Sequence, residues 1–72
     1  MSEPSGTDAL VRMVNQIARN VSHESTDEAA RQIASHLTSF WAPSMRAQLL
    51  AFVDGGGAGV DDLVLAALGR PR

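Results

Sequence analysis

The sequence predicts an all-α fold, a small single domain of four short helices. Three observations carry that prediction. Apolar residues recur at intervals of three and four along most of the chain. Helix starts and stops (Ser25 with Glu28, Pro43, the glycine run 55–59 and Gly69) divide the chain into four segments. At 72 residues there is room for one domain at most, burying roughly 60% of the surface that its unfolded form exposes. Residues 1–6 read as an N-terminal tail, 7–69 as the helical domain and 70–72 as a C-terminal tail.

The first helix is expected from Thr7 to Val21, with Thr7 as N-cap and Asp8 in the first turn, where a negative charge is favoured. Leu10, Val14, Ile17 and Val21 form its apolar stripe, flanked by Met13 and Ala18, with Arg12, Gln16 and Arg19 opposite. Asn15 lies beside that stripe. Asn is a poor helix-interior residue, so a hydrogen bond to a neighbouring helix end, such as the backbone around Trp41 and Pro43, is expected of it.

The joint Ser22-His23-Glu24 follows. Ser25 and Glu28 have the spacing of a capping box, and the second helix runs from there to about Trp41. Its apolar arc is Ala29, Ala30, Ile33, Leu37 and Phe40, with Ala34 and Trp41 at one edge and His36 at the other. Pro43 disfavours helical geometry in the residue before it and suits the first position of the next helix. That third helix carries Met45, Leu49, Phe52 and Val53 on its main stripe and stops at Asp54-Gly55. The fourth, from about Asp61 to Leu68, is apolar at every position from Leu63 onward. A helix apolar all round is normally covered on more than one side, and in so small a domain that points to a partner.

Composition narrows function. The formal net charge is −2, and six scattered Arg residues with no Lys make no basic patch, which argues against nucleic acid. No apolar stretch approaches the ~20 residues of a membrane span, and the polar, acidic start is unlike a signal peptide. A cytoplasmic protein is expected. Without Cys there is no disulfide or thiolate metal site, so any reinforcement comes from association with a partner or with a second copy.

Candidate chemistry is sparse. The glycine run lacks the following Lys and Ser/Thr of a Walker loop and reads as a helix stop with a flexible joint. His23, Glu24 and Asp27 would make at best a weak surface metal site, and His36 reads as a boundary residue. No Ser has the base and orienting acid that a nucleophile needs, and the start of helix four offers no hydroxyl for a phosphopantetheine. No catalytic, cofactor-binding or metal-ligating residue is assigned.

The corner Phe40-Trp41-Ala42-Pro43-Ser44-Met45-Arg46 is the candidate partner interface, with Trp41, Pro43, Met45 and Arg46 as its residues, and Leu65 of the apolar helix four is a further interface candidate. Trp41 is either the hub of a small core or a partner anchor. Arg46 falls within an apolar arc, which is costly for a cation unless it is paired or extends to water. It either makes an internal ion pair, with Asp54 or an acid of helix one, or forks onto a partner carboxylate or carbonyl.

Met13-Val14-Asn15-Gln16-Ile17-Ala18, Ile33-Ala34-Ser35-His36-Leu37 and above all Phe40-Trp41-Ala42-Pro43-Ser44-Met45-Arg46 resemble the delta subunit of NAD-dependent formate dehydrogenase. The resemblance continues through Leu49-Leu50-Ala51, Gly57-Ala58-Gly59-Val60, Leu63-Val64 and Ala67-Leu68, over about residues 9–68. It departs from the family pattern at Ala42 and Ser44, where relatives carry an acid and a base, and at Asp61-Asp62, where a Pro often sits. The resemblance implies a cytoplasmic accessory chain, itself not an enzyme, that supports assembly, cofactor maturation or stability of a formate dehydrogenase. Its partner is then the large catalytic subunit, in a complex carrying a molybdenum or tungsten pterin, iron–sulfur clusters, FMN and NAD. The competing expectation is a free-standing helical interaction or regulatory module, with the corner as the turn of a helix-turn-helix.

Overall fold

A computed structural model describes residues 6–70 as four α-helices, with no strand among the described residues. They are α1 (Gly6–Asn20), α2 (Thr26–Phe40), α3 (Pro43–Asp54) and α4 (Asp62–Ala67). The expected tail residues 1–5 and 71–72 lie outside the described residues, whereas Gly6 already belongs to α1.

Local chemistry sets most boundaries. The Ser25 side chain accepts a hydrogen bond from the Glu28 N–H at 3.2 Å. The other half of the expected box is used differently: the Glu28 carboxylate takes Gln32 at 3.0 Å and Arg31 at 3.1 Å, one turn along its own helix. Trp41 and Ala42 are both extended, so α2 ends one residue early and Pro43 opens α3. α3 and α4 close alike. After α3, the Gly56 N–H donates to the Val53 carbonyl and the Gly57 N–H to that of Phe52, both at 3.0 Å. After α4, Gly69 donates to Ala66 at 3.1 Å and Arg70 to Leu65 at 2.9 Å. This crossed pair satisfies carbonyls that a helix end otherwise leaves orphaned.

The helices pack through α1, which touches all three others; α4 lies chiefly on α2, and α3 turns away at the corner to lie on α1. The core is Leu10, Val14 and Ala18 of α1, Ile33 and Leu37 of α2, Trp41 at the corner, Leu49 and Val53 of α3, and Val64 of α4. Each fully buried side chain among them, such as Ile33 or Leu49, contributes about 1.5–3 kcal/mol from apolar burial. Ile17, Val21, Met45 and Leu65 pack on its margin.

Three expectations are corrected. Phe40 leaves the apolar arc: it is 76% exposed and leans on His36 with ring centroids 4.8 Å apart. As the last residue of α2, it projects beyond the neighbours that cover Ile33 and Leu37. Thr7 lies within α1, where its hydroxyl accepts from the Gln48 amide at 2.8 Å and ties α1 to α3. Asn15 reaches the loop before α4 and not the Trp41–Pro43 corner. Its Nδ2 donates to the Gly59 carbonyl at 2.8 Å and its Oδ1 accepts from the Asp61 N–H at 3.0 Å.

Candidate functional site: the α2–α3 corner and its groove

The corner is built on an orphaned helix end. Beyond Leu37, whose carbonyl accepts the Trp41 N–H at 3.0 Å, the carbonyls at the end of α2 run out of helical donors, and the negative end of the helix dipole lies there. Arg46 resolves both. Its Nη1 donates to the Trp41 carbonyl at 2.7 Å and to the Leu37 carbonyl at 3.3 Å. By sequence the cation belongs to the first turn of α3, an unfavourable place for it. In space its guanidinium meets the C-terminus of α2, a favourable one. Of the pairings open to Arg46, that with Asp54 is not formed: Asp54, at the other end of α3, pairs with Arg70.

Arg70 holds it. Arg70 Nε lies 2.6 Å from Asp54 Oδ1 and Nη2 lies 3.2 Å from Oδ2, while Nη1 donates to the Leu68 carbonyl at 3.2 Å. The Arg70 hydrogen bonds, more than its charge, hold the Asp54 carboxyl below the usual carboxylate value; the small desolvation of the site opposes them. Asp54 in turn raises the Arg70 pKa. Residue 70, expected to begin a tail, thus joins the end of α4 to the end of α3.

The other expected interface residues differ in exposure. Trp41 is 5% exposed and supports the corner from within the core. Met45 and Leu65 are half-buried and packed on the core margin, and Pro43 is exposed. Behind the corner, α2, α3 and α4 enclose a groove of about 330 Å³. Ala34 and Leu37, Arg46, Ala47 and Leu50, and Leu68 are among its walls. Sequence reading placed Ala34 at the edge of the α2 arc and Leu68 in an all-apolar helix, and assigned no role to Ala47 or Leu50.

The remaining candidates form no reaction centre. His23 pairs with Glu24 at 3.1 Å on the surface, and among the described residues no three His, Cys, Asp or Glu side chains come together as a metal site. Ser22 donates to the Arg19 carbonyl at 2.9 Å, and Ser25 caps α2. Among the described residues, no helix is long and apolar enough to cross a membrane.

The family model described as NADH-dependant formate dehydrogenase delta subunit FdsD matches residues 9–68. No curated protein and no solved structure matches the chain. The matched span takes in the corner, the groove and α4 whole, and on that extent the chain belongs to the delta-subunit family of NADH-dependent formate dehydrogenase.

Proposed function

We propose that this chain is a non-catalytic accessory subunit of a cytoplasmic NAD-dependent formate dehydrogenase. It supports assembly, cofactor maturation or stability of the complex, while partner subunits convert formate and NAD to CO2 and NADH. Membership in the delta-subunit family is the observation that carries the reading. The donor set of this chain agrees with that division of labour. It contains no Cys, so it supplies no thiolate to an iron–sulfur cluster, and its two His stand on separate elements. The pterin metal, clusters and flavin then belong to the partners.

The interface in this proposal is Pro43, Met45 and Arg46 at the corner with Leu65 of α4, and Trp41 bracing them from inside. Its partner is the large catalytic subunit. A helix-turn-helix reader of DNA needs cations along α3; the one Arg of that helix is bonded to α2 carbonyls instead.

The test is co-purification. A tagged chain expressed in its native cells is expected to bring down the formate dehydrogenase subunits, and deletion of its gene to lower the metal content or yield of the complex. Capture of none of those subunits, with a normal complex in the deletion strain, defeats the proposal. Arg46→Lys keeps the charge but not a planar fork, and is expected to weaken the association by about 2 kcal/mol.

A further inference from the structure

The described residues contain one completed arginine clamp and one that is half complete. Arg70 is the completed one. Its Nη1 bonds a carbonyl at the end of α4, and its Nε–Nη2 edge grips both oxygens of Asp54. Arg46 repeats the first half: Nη1 bonds two carbonyls, those of Trp41 and Leu37, at the end of α2. Its Nε–Nη2 edge has no partner among the described residues. Four of the acids among the described residues are engaged elsewhere. Asp54 is on Arg70, Glu28 on Arg31 and Gln32, Glu24 on His23, and Asp61 caps its own helix.

Arg46 is also half-buried and forms part of the groove wall. Apart from Thr38 the other walls are aliphatic, Ala34 and Leu37, Ala47 and Leu50, and Leu68 among them. A guanidinium with two carbonyls fixing one of its nitrogens has already lost its rotamer freedom, so a bidentate carboxylate would meet a preset fork. The groove volume of about 330 Å³ is at the small end of the ~300–1,000 Å³ range of ligand sites, with room for a few aliphatic side chains.

We infer that this groove is the receptor for a segment of the catalytic partner carrying aliphatic side chains and, next to them, a carboxylate that completes the Arg46 clamp. The inference rests on the accessory-subunit reading and deepens it. It moves the energetic centre of the interface from the exposed tip of the corner to the groove behind it. Charge complementarity selects the occupant. The wall holds a half-buried cation whose open edge matches a carboxylate, and the same chain shows that edge filled in this way at Arg70.

The experiment places the photo-crosslinking residue benzoylphenylalanine at Ala47, an exposed position on the groove wall, in the full chain expressed in its native cells. After irradiation, the purified complex is digested and the cross-linked peptide is read by mass spectrometry. The expected product is a peptide of the catalytic subunit with aliphatic residues beside an Asp, a Glu or a chain-end carboxylate. A second variant, Ala47→Glu, sets a negative charge on the wall without touching the Arg46–carbonyl bonds. It is expected to weaken association at least tenfold, with the melting temperature of the isolated chain close to wild type. A cross-link to a second copy of this chain, or to a basic segment, overturns the inference. So does an intact complex with no cross-link, the result expected if the groove holds a small acid or only solvent. In each of these cases co-purification survives, and the accessory reading with it. Failure of the unmodified chain to co-purify is the separate result that defeats that reading.

Discussion

At the scale of the residue, several polar side chains act on backbone. Asn15 uses both ends of its amide on the loop before α4, donating to Gly59 and accepting from Asp61. Asn15→Ala removes two hydrogen bonds worth about 0.5–1.5 kcal/mol each, so urea unfolding is expected to report a loss of about 1–2 kcal/mol. Asn15→Asp keeps the acceptor but sets a carboxylate against the Gly59 carbonyl, and is expected to do no better than Ala. The Asp54–Arg70 fork makes a prediction in pH. Arg70 lowers the Asp54 pKa from its ordinary 3.8. A depressed carboxylate contributes stability that is full above its unfolded value and is lost as pH falls through its folded value. Thermal melts of wild type and Asp54→Asn are therefore expected to differ at neutral pH and to converge as pH drops well below 3.8. A difference that persists unchanged at pH ~2 would mean that Asp54 stabilises by something other than its charge.

At the scale of the element, what was legible in the sequence was whatever depends on near neighbours. Ser25 before Glu28, Pro43 after an extended pair, and glycine after α3 and α4 all act within one turn, and each marks a real boundary. Phe40 was not legible, because a helical wheel shows which face is apolar and not where the covering helices run out. Arg46 was conspicuous as a cation in an apolar arc, yet its partners are carbonyls, which have no signature in a sequence. The partner of Asn15 lies 44 residues away, beyond any local rule. The groove was not legible either, since it depends on how three successive helices pack and not on the pattern within any one of them. Two of the glycines make a paired prediction. Gly57 has φ +64, and a Cβ there would stand 3.3 Å from Val53 Cα. Gly69 has φ +72 with open space around it. Gly69→Ala is expected to cost about 1–2 kcal/mol, the left-handed strain alone. Gly57→Ala is expected to cost more, because the backbone of α3 must also shift. Equal losses in denaturant titrations would show that the close approach carries no weight.

At the scale of the whole molecule, the domain is short of covering material. Val64 is fully buried, while Leu63, Leu65, Ala66, Ala67 and Leu68 around it are half-buried. The six residues of α4 therefore divide their apolar surface between the core and whatever lies outside. Val64→Ala is expected to lower the stability of the isolated chain by about 2 kcal/mol, from lost burial plus a small cavity. Leu65→Glu is expected to do the reverse of Val64→Ala: it should reduce association with the complex at least tenfold while lowering the melting temperature less. If Leu65→Glu destabilises the isolated chain as much as Val64→Ala, α4 is ordinary core. A subunit that binds through half-covered surface is also stabilised by mass action when its partner is present. Its melting temperature is expected to rise on addition of the purified complex.

The amide of Asp61 carries a consequence of its own. Its proton is donated to the side chain of Asn15, on a helix 46 residues earlier in the chain, and not to the ladder of α4. Its protection from hydrogen exchange therefore measures contact between α1 and the loop before α4, whatever the state of the turns inside α4. The Leu68 amide, bonded at 3.0 Å to the Val64 carbonyl, measures those turns instead. If α4 lifts away as an intact turn, Asp61 exchanges faster than Leu68; if it unravels in place, Leu68 exchanges first. Two protons thus separate undocking of this helix from its melting, and would reveal which of the two the arrival of a partner suppresses.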